Sequence, residues 1–210
     1  MIQLDHLVVA ASTLDQGSRF LEELLGTSLQ VGGQHVGFGT HNRLLSLGSD
    51  TYLELIAIDP NQTQLQHPIP FGLGSASMQK AIIAQPRLIA WVASTTSIRD
   101  ALRSHQPKIG QATAMQRGDL HWTIALRSDG QRVPDGLPTL IDWGQTAHPC
   151  TRLTDTGFRL RALHINATID AHSALKPSIN DPRIFIQPAQ HSSIRAILQT
   201  RSGEAVTLSG

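Results

Sequence analysis

Residues 4–26 read LDHLVVAASTLDQGSRFLEELLG and contain the two patterns that decide the fold. The first half is a short, mostly apolar run with β-branched residues, which is typical of a buried strand. The second half places four leucines at helical spacing, and Gly26 stands where a helix often ends. The stretch therefore predicts a strand followed at once by an amphipathic helix.

The same order of elements recurs along the chain. Strands predicted around residues 28–31, at 42–47 and at 51–58 complete a βαβββ module, and apolar runs at 87–93 and 159–169 begin two more rounds. A lone module cannot bury its sheet face, so modules must pack within one chain or pair in a homodimer. We predict an α+β fold whose repeated βαβββ modules form a curved mixed sheet, a cup, with helices on the outer face.

This repeat divides the chain into four predicted segments. They are a first module at 1–60, a connector at 61–85, a second module at 86–150, and a shorter third module at 151–210 packed on the others. The connector contains a predicted helix at 77–84, and a second-module helix is predicted over Thr96–His105.

Composition and charge narrow the classes of protein. Seventeen Lys and Arg against sixteen Asp and Glu leave a net charge of +1, without the clustered basic excess that a nucleic-acid partner requires. No apolar stretch is long enough to span a membrane, and the N-terminus lacks a signal-peptide pattern. The single cysteine, Cys150, excludes an intramolecular disulfide and a thiolate metal cluster. We expect a cytoplasmic protein with a small-molecule ligand as its partner.

Four segments together resemble a known family. The opening stretch, the loop GGQHVGFGTHN at 32–42 and the strand TYLELIAID at 51–59 are similar to the bacterial glyoxalase-like domain of the vicinal oxygen chelate superfamily, and LPTLIDWG at 137–144 extends the likeness. The resemblance covers most of residues 2–150. It implies paired βαβββ modules around a divalent-metal site, with ligands from the first and last strands of each module.

The resemblance also implies an activity and a ligand set. The activity would be that of a metal-dependent lyase, isomerase or dioxygenase acting on a small metabolite with vicinal oxygens. His6 and Glu54 match the first-strand and last-strand ligand positions, and Asp142 falls near the matching last-strand position of the second module. Glu54 could instead serve as the general base. Imidazole and carboxylate ligands without sulfur suit Zn, Ni, Mn or Fe.

One ligand position departs from the family pattern, and it keeps a second hypothesis open. Ala90 stands opposite His6 when the modules are aligned, and alanine cannot ligate a metal. By strand alternation His6 shares an apolar face with Leu4 and Val8, so a metal-free His6–Glu54 pair could simply close the sheet. The alternative function is a metal-free module that binds or sequesters a small molecule in the same cup, and whether the chain is an enzyme stays open.

The glycine-rich loop at 32–42 is the other candidate feature. Its four glycines allow close approach of backbone to a ligand, so His35 and Asn42 could line the pocket, or the loop could be a structural turn. His121, on a polar strand face, is assigned to the rim of the same substrate pocket. We expect the largest polar-lined cavity to contain His6 and Glu54, beside an otherwise open concave face.

Overall fold

Residues 3–103 and 108–210 are described by the structure, which is a computed structural model. The first module consists of β1 (Gln3–Ala10), α1 (Leu14–Leu25), β2 (Gln30–His35), β3 (Thr40–Ser46) and β4 (Tyr52–Ile58). The Thr13 hydroxyl accepts a hydrogen bond from the backbone N–H of Gln16 and caps α1. Gly26 ends the helix with φ 69°, as its position in the sequence predicts.

The connector contributes one helix, and the second module repeats the βαβββ order of the first. Their elements are α2 (Ala76–Ala84), β5 (Arg87–Ser94), α3 (Ile98–Arg103), β6 (Gln111–Arg117), β7 (Leu120–Leu126) and β8 (Thr139–Asp142). The described part of α3 begins two residues later than predicted, and the predicted helix end at His105 lies outside the described residues.

The two modules join edge to edge in one eight-stranded sheet. Its order is β2-β3-β4-β1-β5-β8-β7-β6. From either edge inward, the second, third, fourth and first strands of one module follow one another, so the two modules have the same strand order. In each module the first strand pairs in parallel with the last, and β1 pairs with β5 in the antiparallel direction. The sheet curls until residues of its edge strands, β2 and β6, lie close together. The predicted α+β fold with a curved mixed sheet is therefore confirmed.

The outer face of this sheet carries helices, as predicted. Side chains of α1 and α3 share one hydrophobic core with outward-facing strand residues, for example Leu21 and Ile98 with Leu7 and Leu55. Because strand side chains alternate between the faces, the neighbours of those strand residues point into the cup.

The concave face is not open, because the connector fills part of it. A second core joins strand residues to connector residues, among them Val8, Ile56 and Trp122 with Phe71 and Leu73. The expectation of an open concave face is therefore wrong. Apolar side chains in the connector provide the reason, since burying them against the sheet removes their surface from water.

The third module has the predicted order of elements but a different strand pairing. Its elements are β9 (Arg159–Ala167), α4 (Ile169–Leu175), β10 (Ile184–Pro188), β11 (Ser193–Gln199) and β12 (Ala205–Ser209). They form a separate sheet of order β10-β9-β11-β12, in which the first strand pairs with the second and third strands rather than with the last. Buried residues such as Leu163 and Leu198 belong to the outer core of the first two modules. The chain division at residue 151 stays a prediction.

Among the described residues, no helix is long and apolar enough to cross a membrane.

Candidate functional site

A β-bulge in β1 shapes the site. Leu4 pairs with Ala93 of β5 and His6 pairs with Val92, so β1 carries one extra residue, Asp5, between them. Strict alternation would have placed Leu4 and His6 on one face, but Leu4 belongs to the outer core. The bulge therefore lets both Asp5 and His6 point toward the same end of the cup.

His6 and Glu54 face each other inside the cup, as expected. His6 Nε2 lies 3.7 Å from Glu54 Oε2. The His6 side chain is 4% exposed and that of Glu54 is 7% exposed, so bulk water does not screen the pair. The His6 ring stacks on Tyr52, with ring centroids 4.4 Å apart. The two residues that the first and last strands of the module contribute therefore form the centre of the site.

Asn42 of β3 holds the other carboxylate oxygen of Glu54. Asn42 Nδ2 donates to Glu54 Oε1 at 2.6 Å. Two hydrogen bonds fix the orientation of the Asn42 side-chain amide. Asn42 Oδ1 accepts from the Gly33 backbone N–H at 2.9 Å and from Arg117 Nη1 at 3.0 Å. Arg117 comes from the edge strand β6, so this hydrogen bond links one edge of the curled sheet to β3, the strand next to the other edge. We call His6, His35, Asn42, Glu54 and Arg117 the cup site.

The protonation of His35 follows from its two neighbours. Asn42 Nδ2 lies 3.4 Å from His35 Nε2 and can only donate, so Nε2 must accept. The Nδ1–H of His35 is then free to donate to Thr40 Oγ1, 2.9 Å away. Burial lowers the pKa of His35 below its ordinary value, although the charge of Glu54 partly offsets the effect. His35 is therefore a neutral imidazole.

Asp5 is hydrogen-bonded to the His6 ring on the side away from Glu54. Its Oδ1 accepts from His6 Nδ1 at 2.7 Å, and its Oδ2 accepts from Trp143 Nε1 at 2.9 Å. His148 Nε2 lies 3.3 Å from Oδ2. Burial raises the pKa of Asp5, but its interactions with His148 and His6 outweigh it and hold the pKa well below its usual range. Asp5 is therefore a carboxylate, and Nδ1 of His6 carries the proton between them.

A cavity of about 40 Å³ lies beside the cup site. Its polar lining residues are those of the cup site and Tyr52, and its apolar walls include Phe71, Trp122 and Trp143. A larger cavity of about 670 Å³ lies elsewhere and touches neither His6 nor Glu54. The expectation that the largest cavity would contain these two residues is therefore wrong, because connector side chains take up much of the concave face.

The structure brings some of the predicted site residues together and leaves two outside. His6, Glu54, His35 and Asn42 meet around the small cavity. Asp142 instead accepts hydrogen bonds from the backbone N–H of Ile98 and of Gly144. His121 is exposed on β7. The next residue of that strand, Trp122, points into the cup, so by alternation His121 faces away from it.

The cup site is the candidate position for a divalent metal. Among residues 3–103 and 108–210, no group of three or more His, Cys, Asp or Glu side chains is arranged to hold a metal ion. The physical reason is Asn42, whose fixed NH2 group points at both His35 Nε2 and Glu54 Oε1. A hydrogen-bond donor in that position repels a cation. Only His6 and Glu54 of the cup site remain as candidate ligands, whereas catalytic zinc sites generally have three protein ligands. The donor set does not fit a resident metal.

Three contributors to the site were not predicted from the sequence as site residues. Asp5 reaches it through the bulge, and Arg117 reaches it from the far edge of the curled sheet. The Nδ1 of His148 accepts from the Cys150 backbone N–H, and its Nε2 lies 3.3 Å from Asp5 Oδ2. The adjacent acid and imidazole at residues 5–6 were the one signal that could have indicated the pair.

Comparisons with known proteins agree with this architecture. The family model described as a glyoxalase-like domain matches residues 4–176. No curated protein matches the chain. A hypothetical protein from Staphylococcus aureus has a similar solved structure, with 16% identity, a TM-score of 0.58, and coverage of 100% of this chain and 86% of that one. At this identity the similarity shows the fold alone.

Two epimerase structures also match part of the chain. A single-residue variant of Streptomyces coelicolor methylmalonyl-CoA epimerase, in complex with 2-nitronate-propionyl-CoA, is 15% identical over 70% of this chain and 96% of that one, with a TM-score of 0.43. The Mycobacterium tuberculosis methylmalonyl-CoA epimerase is 18% identical over 66% and 86%, with a TM-score of 0.41. The family match spans most of the chain, and the chain belongs to the glyoxalase-like domain family of the vicinal oxygen chelate superfamily.

Proposed function

We propose that the cup site binds a small metabolite through a carbonyl or carboxylate oxygen, and that Glu54 transfers a proton to or from it without a resident metal. The state of Glu54 carries this proposal. Its Oε1 is held by Asn42, while its Oε2 accepts no hydrogen bond from the described residues. A buried carboxylate oxygen beside a cavity and without a donor is suited to accept a proton from a ligand.

Arg117 supplies the complementary positive charge. It lines the cavity and, within the described part of the chain, forms no ion pair with a carboxylate. A guanidinium has five N–H donors, of which Asn42 uses one. When Glu54 takes a proton from the carbon next to a carbonyl, the electron pair moves onto the carbonyl oxygen. Arg117 would stabilise that negative charge.

The fate of the proton decides the reaction class. Returning it from Glu54 to another face or another carbon of the ligand gives an isomerase, and loss of a leaving group from the enolate gives a lyase. His6 can exchange a proton with Glu54, because its Nε2 faces Glu54 Oε2 at 3.7 Å while its Nδ1 is held by Asp5. Asp5 thereby acts as a positioning residue for His6.

The cavity favours a compact ligand. A volume of about 40 Å³ corresponds to only one or two water molecules of about 30 Å³ each. Phe71 borders the cavity and has φ 59°, a left-handed conformation that is strained for a bulky residue. Movement of this connector segment would widen the cavity and relieve the strain.

Deuterium exchange tests the proposal directly. Pyruvate, 2-oxobutyrate and hydroxyacetone each carry acidic C–H groups beside a carbonyl, and proton NMR in D2O follows their exchange. We expect the protein to accelerate exchange of at least one of them, Glu54→Gln to lose about a hundredfold or more of that rate, and chelator to leave it unchanged. Asp142→Asn is the matched control, because Asp142 lies outside the cup site. Equal rates in wild type and Glu54→Gln, or no exchange with any of the three compounds, would reject the proposal.

A second candidate is a divalent-metal-dependent lyase, isomerase or oxygenase, and one observation favours it. An imidazole whose Nδ1–H is held by a carboxylate is the arrangement that commonly orients a metal-bound histidine, and Asp5 and His6 have it. In the exchange experiment this candidate predicts that chelator removes the activity and that added Zn, Ni, Mn or Fe restores it.

A further inference from the structure

We propose that the larger cavity, a cleft between the second and third modules, is a separate binding site for a small molecule carrying a phosphate monoester. We call it the junction cleft. One wall is the beginning of α2 and of β5, and the loop 132–137 forms the second. The start of β11 and the backbone of Gly210, both in the third module, form the third wall. Its volume of about 670 Å³ lies in the range of small-molecule pockets.

Two arginines face this cleft without an acidic partner. Arg87 and Arg132 both line it, and within the described residues no carboxylate oxygen lies within 4.0 Å of either guanidinium. The only acidic side chain of the lining, Asp135, is paired with Lys108 Nζ at 2.7 Å. The side chains around the cleft therefore leave an excess of positive charge, which favours an anionic ligand such as a phosphate monoester.

The two guanidinium groups also affect each other. Arg132 Nη1 donates to the backbone carbonyl of Ile89 at 3.3 Å, which directs its head group toward β5, where Arg87 begins the strand. Desolvation and the positive charge of Arg87 lower the pKa of Arg132 below its ordinary value. Two like charges without a neutralising group are unfavourable, and a bound anion would remove that repulsion.

The start of α2 adds to the positive character of the cleft. Ser77, in the first turn, lines the cleft beside the N-cap Ser75, whose hydroxyl donates to the Gly72 carbonyl. That turn contains no acidic residue to neutralise the positive end of the helix. Met78, Pro134 and Ile194 supply apolar surface in the remaining volume. Arginines together with apolar walls in one cleft fit a phosphate carried on an organic body better than a free anion.

Titration calorimetry tests the site with three probes: inorganic phosphate, glycerol 3-phosphate and adenosine 5′-monophosphate, in about 0.15 M chloride. We expect at least one ester to bind with a Kd of about 1 mM or tighter, and to bind more tightly than inorganic phosphate. Arg87→Gln and Arg132→Gln should each weaken it about tenfold or more.

Two control variants separate this site from others. Arg201→Gln removes an exposed arginine that does not line the cleft, and Glu54→Gln alters the cup site, so both should bind the ester like wild type. Thermal melts establish that all variants are folded. Absence of binding by both esters, equal binding by Arg132→Gln, or an equal loss in Arg201→Gln would overturn the proposal. Inorganic phosphate binding as tightly as the esters would reduce the cleft to an anion site and overturn the assignment of an ester.

Discussion

At the scale of the residue, Asp5 is the side chain whose charge state matters most for the cup. It is 1% exposed and takes part in hydrogen bonds with His6 and Trp143, with His148 beside it. An uncompensated carboxylate at this depth would be strongly unfavourable, so these partners are what allow it to stay ionised. Asp5 in turn fixes the proton on His6 Nδ1 and leaves Nε2 facing Glu54.

The depressed pKa of Asp5 predicts how stability depends on pH. A carboxylate whose folded pKa lies below its unfolded value of about 3.9 stabilises the fold above that value and loses the contribution as pH falls through the folded pKa. We expect Asp5→Asn to lower the free energy of unfolding by about 3 kcal/mol near neutral pH. The difference from wild type should shrink steadily below about pH 4.

Urea unfolding of both proteins between neutral and acidic pH measures this difference. Glu23→Gln is the control, since Glu23 is exposed on α1 and its loss should change stability little at any of these pH values. A wild-type advantage over Asp5→Asn that stays constant down to the lowest pH would show that the charge of Asp5 does not stabilise the fold.

At the scale of the element, the strand pair β2–β3 presents Asn42 to the rest of the site. A Cβ at Gly32 would lie 2.0 Å from Asn42 Oδ1 and 2.8 Å from the Asn42 backbone oxygen. The absence of a side chain at residue 32 is therefore a requirement of this strand pairing. A Cβ at Gly33 would likewise meet Arg117 Cδ, at 2.6 Å.

Gly32→Ala should consequently displace Asn42 and release Glu54. We expect a loss of about 1–3 kcal/mol in the free energy of unfolding, together with loss of the proton exchange proposed for Glu54. Gly74→Ala is a matched control, because the nearest atom to its Cβ would be 3.7 Å away, and it should change stability by no more than about 0.5 kcal/mol. Equal stability of the two alanine variants would mean that the Gly32–Asn42 contact is not structurally important.

The elements themselves could largely be predicted from the sequence, whereas two details of their arrangement could not. Apolar periodicity predicted the strands and the helix α1, and the face of β4 that carries Tyr52, Glu54 and Ile56 follows from alternation alone. The bulge at Asp5 has no local sequence signal, because it is a property of the β1–β5 pairing. Arg117 joins the site only because the curling sheet brings β6 toward β2.

At the scale of the whole molecule, the third module closes the outer core. Buried side chains of the third module share one core with those of the first two modules, for example Phe158 and Leu163 with Trp91 of β5. The strands β11 and β12 lie against β5. The sequence indicates the same dependence, because the strands of the third module are short and no Gly/Ser-rich linker precedes it. It could not predict the altered strand order, because the order of elements is the same in all three modules.

Removing the third module should therefore destroy the fold. A fragment of residues 1–157 would expose Trp91 and its neighbours on the outer face, and we expect it to be insoluble or to lack a cooperative thermal transition. Leu163→Ala in the full chain is the milder counterpart and should cost about 2–5 kcal/mol, measured by urea unfolding. A soluble 1–157 fragment with a cooperative melt would show that the first two modules are an independent unit.

The central claim is that the proton transfer proposed for the cup site depends on Asp5, His6, Asn42 and Glu54 and needs no metal ion held by the protein. Elemental analysis of protein purified without chelator, alongside His6→Ala, tests this most directly. We predict well below about 0.1 equivalent of Zn, Ni, Mn or Fe per chain in both proteins, because Asn42 points its NH2 group at the position a third ligand would share. About one equivalent in wild type, lost in a folded His6→Ala protein, would contradict the claim.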